Sequence, residues 1–186
     1  MKKIIIVLIL ISFKINAQII TPIEDRLSHI LTQTYNNRYF KDVNGHLNKF
    51  IGQWKYETAI DKVEITILKR DNEDCGGRYF KDNLEIRCKY TKNGIVEFDT
   101  NAPQDINDYN RMLGGLFDEP TNVNKYQFLY SEPNFNPLNK YYLNIQYVLA
   151  PLGGLPQLQW TTSFEPAELD PAPPRLPLNM LFTKVP

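Results

Sequence analysis

Few side chains in this sequence are of the types that do chemistry, and their spacing is poor for it. His29 and His46 are the two histidines of the chain. Neither has a metal-ligand partner at a regular spacing, and neither accompanies a nucleophile motif, so both read as surface residues. Asp71-Asn72-Glu73-Asp74 and Asp105-Ile106-Asn107-Asp108 are rich in oxygen ligands. They lack the glycine and the spaced glutamate of a helix-loop-helix calcium site, and read as solvated turns. Carboxylates are plentiful, but no pair is singled out for acid–base cleavage. No catalytic residue, metal site or cofactor is therefore expected, and the chain is not read as an enzyme.

The two cysteines carry a different expectation. Cys75 and Cys88 flank Arg78-Tyr79-Phe80-Lys81-Asp82-Asn83-Leu84, which reads as a short hairpin. With the turn at Lys81-Asp82, Cys75 falls opposite Cys88, and a disulfide closing so small a loop would contribute up to about 3 kcal/mol. An oxidising compartment is implied by the first residues. Lys2 and Lys3 precede the apolar run Ile4–Phe13, and Ala17-Gln18 offers a cleavage point. That pattern is a secretory signal over residues 1–17, too short to span a bilayer. The product is expected in the periplasm or outside the cell, with no membrane span after cleavage. Removing Lys2, Lys3 and Lys14 takes the 21 basic residues to 18, against 21 acidic ones. A mildly acidic chain without a basic stripe is not a nucleic-acid binder.

The elements that would position any site are mostly strands. Residues 18–39 place Ile23, Leu27, Ile30 and Leu31 at helical spacing, which predicts a short amphipathic helix. Asp42 offers an N-cap to a short turn running to Phe50. From Trp54 onward the period is two: Trp54/Tyr56/Thr58, Val63/Ile65/Ile67, Leu84/Ile86/Cys88/Tyr90, Tyr126/Phe128/Tyr130, Tyr141/Leu143/Ile145/Tyr147/Leu149 and Leu158/Trp160/Thr162 each form one face. Such alternation marks antiparallel strands with one solvated side. Asn93-Gly94 signals a tight hairpin. The expectation is an all-β domain over residues 40–186, an antiparallel barrel or closed sandwich of about eight or nine strands, preceded by a short helical segment. Two segments break the pattern: a polar loop at 101–115 and a proline-rich stretch at 165–177 that cannot lie inside a sheet.

Gly52-Gln53-Trp54 at the first strand, following a short turn, resembles the start of a lipocalin barrel. That resemblance implies that the tryptophan packs at the barrel base under a basic residue of the last strand, for which Lys184 is the candidate. Lys41-Asp42-Val43, Leu47–Trp54, Thr91–Gly94, Leu158-Gln159-Trp160 and Leu178–Lys184 together resemble an uncharacterised exported flavobacterial family, domain of unknown function 6705, over roughly residues 40–186. The resemblance implies a secreted lipocalin-like domain and carries over no site residues.

Function follows only as alternatives. Trp54, Tyr56, Tyr126, Phe128, Tyr130, Tyr147 and Trp160 could line a cavity for a small apolar ligand. The same rings could fill the interior, since eight strands enclose little more than side chains, and the balance tips towards filling. The other reading is a module that binds or inhibits an envelope protein through the 101–115 loop and the 165–177 segment. A monomer is expected in either case.

Overall fold

In the computed structural model, residues 18–101, 112–130, 141–150, 153–164 and 174–186 are described. The expected signal segment at 1–17, most of the 101–115 loop and most of the proline-rich stretch lie outside them. Ile19–Pro22 (β1) and Arg38–Lys41 (β2) flank a 3-10 turn, Ile23–Asp25, and the helix Arg26–Leu31 (α1). After the 3-10 turn His46–Phe50 come Gly52–Glu57 (β3), Asp61–Asp74 (β4), Phe80–Lys92 (β5) and Ile95–Asp99 (β6). Met112–Leu113 (β7), Lys125–Tyr130 (β8), Tyr141–Val148 (β9), Gln157–Phe164 (β10) and Asn179–Lys184 (β11) complete the chain. The expected helix and all the alternating strands are present. Among the described residues no helix is long and apolar enough to cross a membrane.

The strands form one mixed sheet in the order β1-β2-β5-β4-β3-β11-β10-β9-β8. It is antiparallel apart from the β1–β2 and β2–β5 pairs, and it curls into a half-barrel. Residues 18–39 thus contribute two strands to the sheet as well as the helix. Their alternation is too short, at four residues each, to register as a period.

The free flank of β5 is divided among three partners. Phe80 and Lys81 pair with β2, Glu85 and Ile86 with β7, and Lys89–Lys92 with β6. From β7 the chain crosses to β8, where Leu116 and Gln127 exchange both backbone hydrogen bonds at 2.9 Å. Residues 112–117 therefore tie the two flanks of the half-barrel together. Gly115 makes this crossing possible. Its φ is +133°, and a Cβ there would lie 2.4 Å from Tyr126 Cε1 and 2.5 Å from the Gln127 carbonyl oxygen.

The hairpin joining β4 to β5 turns at Cys75-Gly76-Gly77-Arg78, where the Cys75 amide donates to the Tyr79 carbonyl at 2.9 Å. This corrects the expected turn at Lys81-Asp82, which lies within β5, and with it the disulfide. The register sets Cys88 opposite Ile65 and Asp74 opposite Phe80. Cys75, just past the end of β4, is thus some ten positions along from the partner of Cys88, and the two are not bridged. At about 3.3 Å per residue the gap far exceeds disulfide reach. The Gly-Gly dipeptide was the turn signal, and it outweighs the polar Lys-Asp pair because both glycines take positive φ.

The leading turn is built as its sequence suggests. Asp42 accepts from the amides of His46 at 2.7 Å and Leu47 at 3.2 Å, capping the 3-10 turn from outside it. Trp54 is buried and donates from Nε1 to the Phe50 carbonyl at 2.9 Å. Lys184 Nζ lies 5.3 Å from the Trp54 ring centroid. The Lys184 stem also crosses Gly52, where a Cβ would meet its Cε at 3.2 Å. Lys184→Met, which keeps the stem and removes the charge, is expected to lower stability by about 0.5–1 kcal/mol. A small fall in the urea midpoint with unchanged slope checks it.

Candidate functional site

The seven aromatic residues picked out by alternation belong mainly to the packed interior. Trp54, Tyr126, Phe128 and Trp160 are fully buried, and Tyr56 and Tyr147 pack against that core. Ring contacts join them: Trp54–Tyr147 at 6.4 Å, Phe50–Tyr126 at 6.2 Å, Tyr126–Phe128 at 5.1 Å and Trp160–Phe182 at 5.8 Å. Tyr130 is paired with Tyr141 at the end of β8. The other six fill volume and hold the half-barrel together through edge-on and tilted contacts. Several surface concavities are bordered by described residues, among them the following. One, of about 540 Å³, lies over Gln53, Lys55, Thr66 and Arg87, and also touches Trp54; a second, of about 500 Å³, lies over Tyr56, Leu181 and Lys184.

The third combines concavity with buried charge. A hollow of about 470 Å³ is lined by Ile30 of α1, by Tyr35 before β2, and by Cys75, Gly76, Arg78 and Tyr79 of the β4–β5 turn. Tyr79 is held on three sides. Tyr35 meets it edge-on at 5.5 Å, Phe40 at 5.7 Å, and the Arg26 guanidinium carbon lies 5.6 Å from its centroid. Arg26 Nη2 also donates to the Tyr79 hydroxyl at 3.2 Å, and Nη1 to the Gly115 carbonyl at 2.5 Å. The helix thus lays its arginine across the segment that seals the half-barrel. Burial raises the Tyr79 pKa, and the nearby Arg26 charge opposes that rise without cancelling it.

Two residues beyond Tyr79, Lys81 is buried in the first part of β5, where Lys81 through Ile86 are buried at consecutive positions. Since neighbouring strand residues point to opposite faces, both faces of β5 are covered there. Among the described residues, the carboxylate within reach of Lys81 Nζ is Glu73, at 3.5 Å. The same Glu73 oxygen accepts from Asn83 Nδ2 at 2.6 Å, and Tyr126 donates to Asn83 Oδ1 at 3.3 Å. Burial, reinforced by Arg26, pushes the Lys81 pKa down despite Glu73 and the Cys75 thiol. Glu73 faces Lys81 because the register shifts between Arg70 and Glu73. That bulge uses up the acidic run 71–74: Glu73 goes to Lys81, and Asp71 to Lys69 at 3.4 Å.

A second buried cluster is architectural. Asp82 accepts from the Tyr39 hydroxyl at 2.5 Å and from the amides of Asp42 at 2.9 Å and Asn72 at 3.1 Å. Lys69 Nζ lies 3.2 Å from Asp42 and 3.8 Å from Asp82. Burial, then the Asp82 hydrogen bond and charge, drives the Tyr39 phenol well above its ordinary range. The histidines do not join either cluster. His29 Nδ1 is 2.7 Å from the Thr34 hydroxyl, and His46 is 3.5 Å from Glu24.

Residues 1–115 match a family described as being of unknown function, DUF6705. The chain belongs to that family. The matched region contains α1, β1–β7 and every residue of the Tyr79 hollow, and it ends within the sealing segment. The motifs at Leu158–Trp160 and Leu178–Lys184 lie beyond it, so the family match runs earlier in the chain than the motif resemblance over 40–186. No curated protein and no solved structure matches the chain.

The sequence reading missed Arg26, Tyr79 and Lys81. Arg26 sits among the polar positions of a short helix, and Lys81-Asp82 resembles a turn. The usable signal was Gly76-Gly77, which moves the turn forward and places Phe80–Glu85 within a strand.

Proposed function

We propose that this chain is an exported, lipocalin-like β module without catalytic activity, which binds a small, largely apolar ligand at the Tyr79 hollow. The barrel interior is not the seat in this reading, because its aromatic residues are spent on packing one another. The observation that carries the reading is the hollow itself. It has the volume of a small-molecule site and two tyrosines and an isoleucine on its walls, with the Arg26 guanidinium against the Tyr79 ring. Support for export comes from the charged start, apolar run and Ala17-Gln18 junction. Support for the lipocalin-like reading comes from Gly52, Trp54 and the Lys184 cover.

The test is a fluorescence titration of the purified protein with the neutral probe N-phenyl-1-naphthylamine. Saturable enhancement is expected, with at least a roughly tenfold loss of affinity in Ile30→Asp, a half-exposed wall position. Equal binding by the two proteins, or none by the wild type, would remove the hollow as the seat.

A further inference from the structure

We propose that the outer face of β8–β11 is a second binding site, which takes a neutral oligosaccharide chain. The register stacks Gln127, Asn144, Thr161 and Asn179 in one row across the four strands. Gln146 and Gln159 lie side by side in the next row. The first row alternates with buried Phe128, Ile145, Trp160 and Met180, so its side chains stand on the solvent side. Lys125 and Lys184 are the charged residues of these strands. Lys125 is paired with Asp118, and Lys184 is turned onto Trp54. The outer face of β3–β5 in the same sheet is built differently. There Lys55 pairs with Glu57, Lys62 with Glu64 and Arg87 with Glu85. One half of the outer surface is laced with ion pairs, and the other presents amides and hydroxyls.

That neutrality matches a ligand made of hydroxyl groups. A sugar hydroxyl both donates and accepts, and so does a side-chain amide. Gln127 Nε2 donates to Asn144 Oδ1 at 3.2 Å, which leaves the Asn144 amide donors and the Gln127 carbonyl for a ligand. Gln159 Nε2 donates to the Met180 carbonyl at 3.2 Å, which leaves its own oxygen. Covering neutral amides costs far less than covering ions, provided their hydrogen bonds are remade. Tyr142 stands in the adjoining row between Leu129 and Ser163, where its ring can pack on the apolar face of a sugar. Strands about 4.8 Å apart make the four-residue row roughly 14 Å long, more than one sugar ring, so the ligand is a chain. A purely apolar partner would strand the amides, and an acidic one would meet no unpaired cation here.

Affinity electrophoresis through native gels containing laminarin, galactomannan or dextran tests this, with polygalacturonate as the anionic control. At least one neutral glycan is expected to retard the protein relative to a glycan-free gel, and polygalacturonate is not. Asn144→Asp still accepts from Gln127 and should keep the melting temperature, as should Gln146→Glu. Each puts an unpaired charge on the face and removes a donor, and should weaken retardation at least roughly tenfold. Ile30→Asp should leave it unchanged, because the Tyr79 hollow shares no residue with this face. No retardation by any neutral glycan, retardation by polygalacturonate alone, or equal retardation of the wild type and Asn144→Asp would overturn the site. Retardation lost in Ile30→Asp would move the glycan to the hollow and overturn it too. A wild-type dimer in sedimentation that Asn144→Asp dissociates, without retardation, would assign the face to a second copy instead.

Discussion

Asp82→Ala is expected to destabilise the domain by about 3–5 kcal/mol, a large share of the roughly 5–15 kcal/mol available to a domain of this kind. The Asp82 side chain is almost wholly enclosed and accepts from three donors on three different elements: Tyr39 of β2, Asp42 of the leading turn and Asn72 of the β4 bulge. Alanine leaves all three without an acceptor; the Asp42 amide is buried and its loss alone is worth about 1–3 kcal/mol, with the part-buried Tyr39 and Asn72 donors adding less each. Lys69 is not stranded by the change, since Asp42 and Asp71 remain beside it. That limits the loss to the hydrogen bonds. Asp82→Asn keeps one oxygen acceptor and is expected to recover about half the difference. Urea unfolding with linear extrapolation reads both values, and a loss below about 1 kcal/mol for alanine would show that water replaces the carboxylate.

Gly115→Ala is the second large effect, expected at about 2–5 kcal/mol. The methyl group would have to occupy space 2.4 Å from the Tyr126 ring and 2.5 Å from a backbone oxygen, at a φ that side chains rarely adopt. Overpacking of a fixed neighbour is worth about 1–3 kcal/mol, and the backbone strain about as much again. Tyr126 cannot swing aside freely, because Phe117 meets it edge-on at 5.0 Å and Phe128 at 5.1 Å. The seam is expected to yield before the core does. Amide exchange at Leu116 and Gln127 should accelerate in the variant while Ile65 and Ile145 in the sheet interior stay protected. Unchanged protection at Leu116 would mean that the Tyr126 ring, not the seam, absorbs the methyl.

The strands of the half-barrel were legible because one face of each is apolar and the other polar. Val63/Ile65/Ile67 and Tyr141/Leu143/Ile145 are buried at every second position, as their alternation requires. Asp42, Trp54 and Lys184 were also legible, since capping and the Gly-x-Trp arrangement are local chemistry. The first half of β5 was not. Lys81, Asp82, Asn83 and Glu85 are polar residues buried on both sides of a strand, and their partners include residues on other elements: Glu73 and Arg70 of β4, Tyr39 of β2 and Tyr126 of β8. Alternation carries no trace of such partners. The hollow escaped for the same reason, because its walls come from α1, the segment before β2 and the β4–β5 turn.

The pairing of β3 with β11 bears on how the chain reaches this state. Trp54 of the first barrel strand aligns with Lys184 of the last, almost the whole length of the domain away. The β4–β5 hairpin, by contrast, joins neighbours in sequence and can assemble on its own schedule as soon as both strands exist. One flank of β3 therefore stays unpaired until β11 is available. Topology of this kind makes folding slow and exposes strand edges in the interval. The molecule has the character of a band fastened by a clasp at its far end: short of β11 it has most of its secondary structure and no completed sheet.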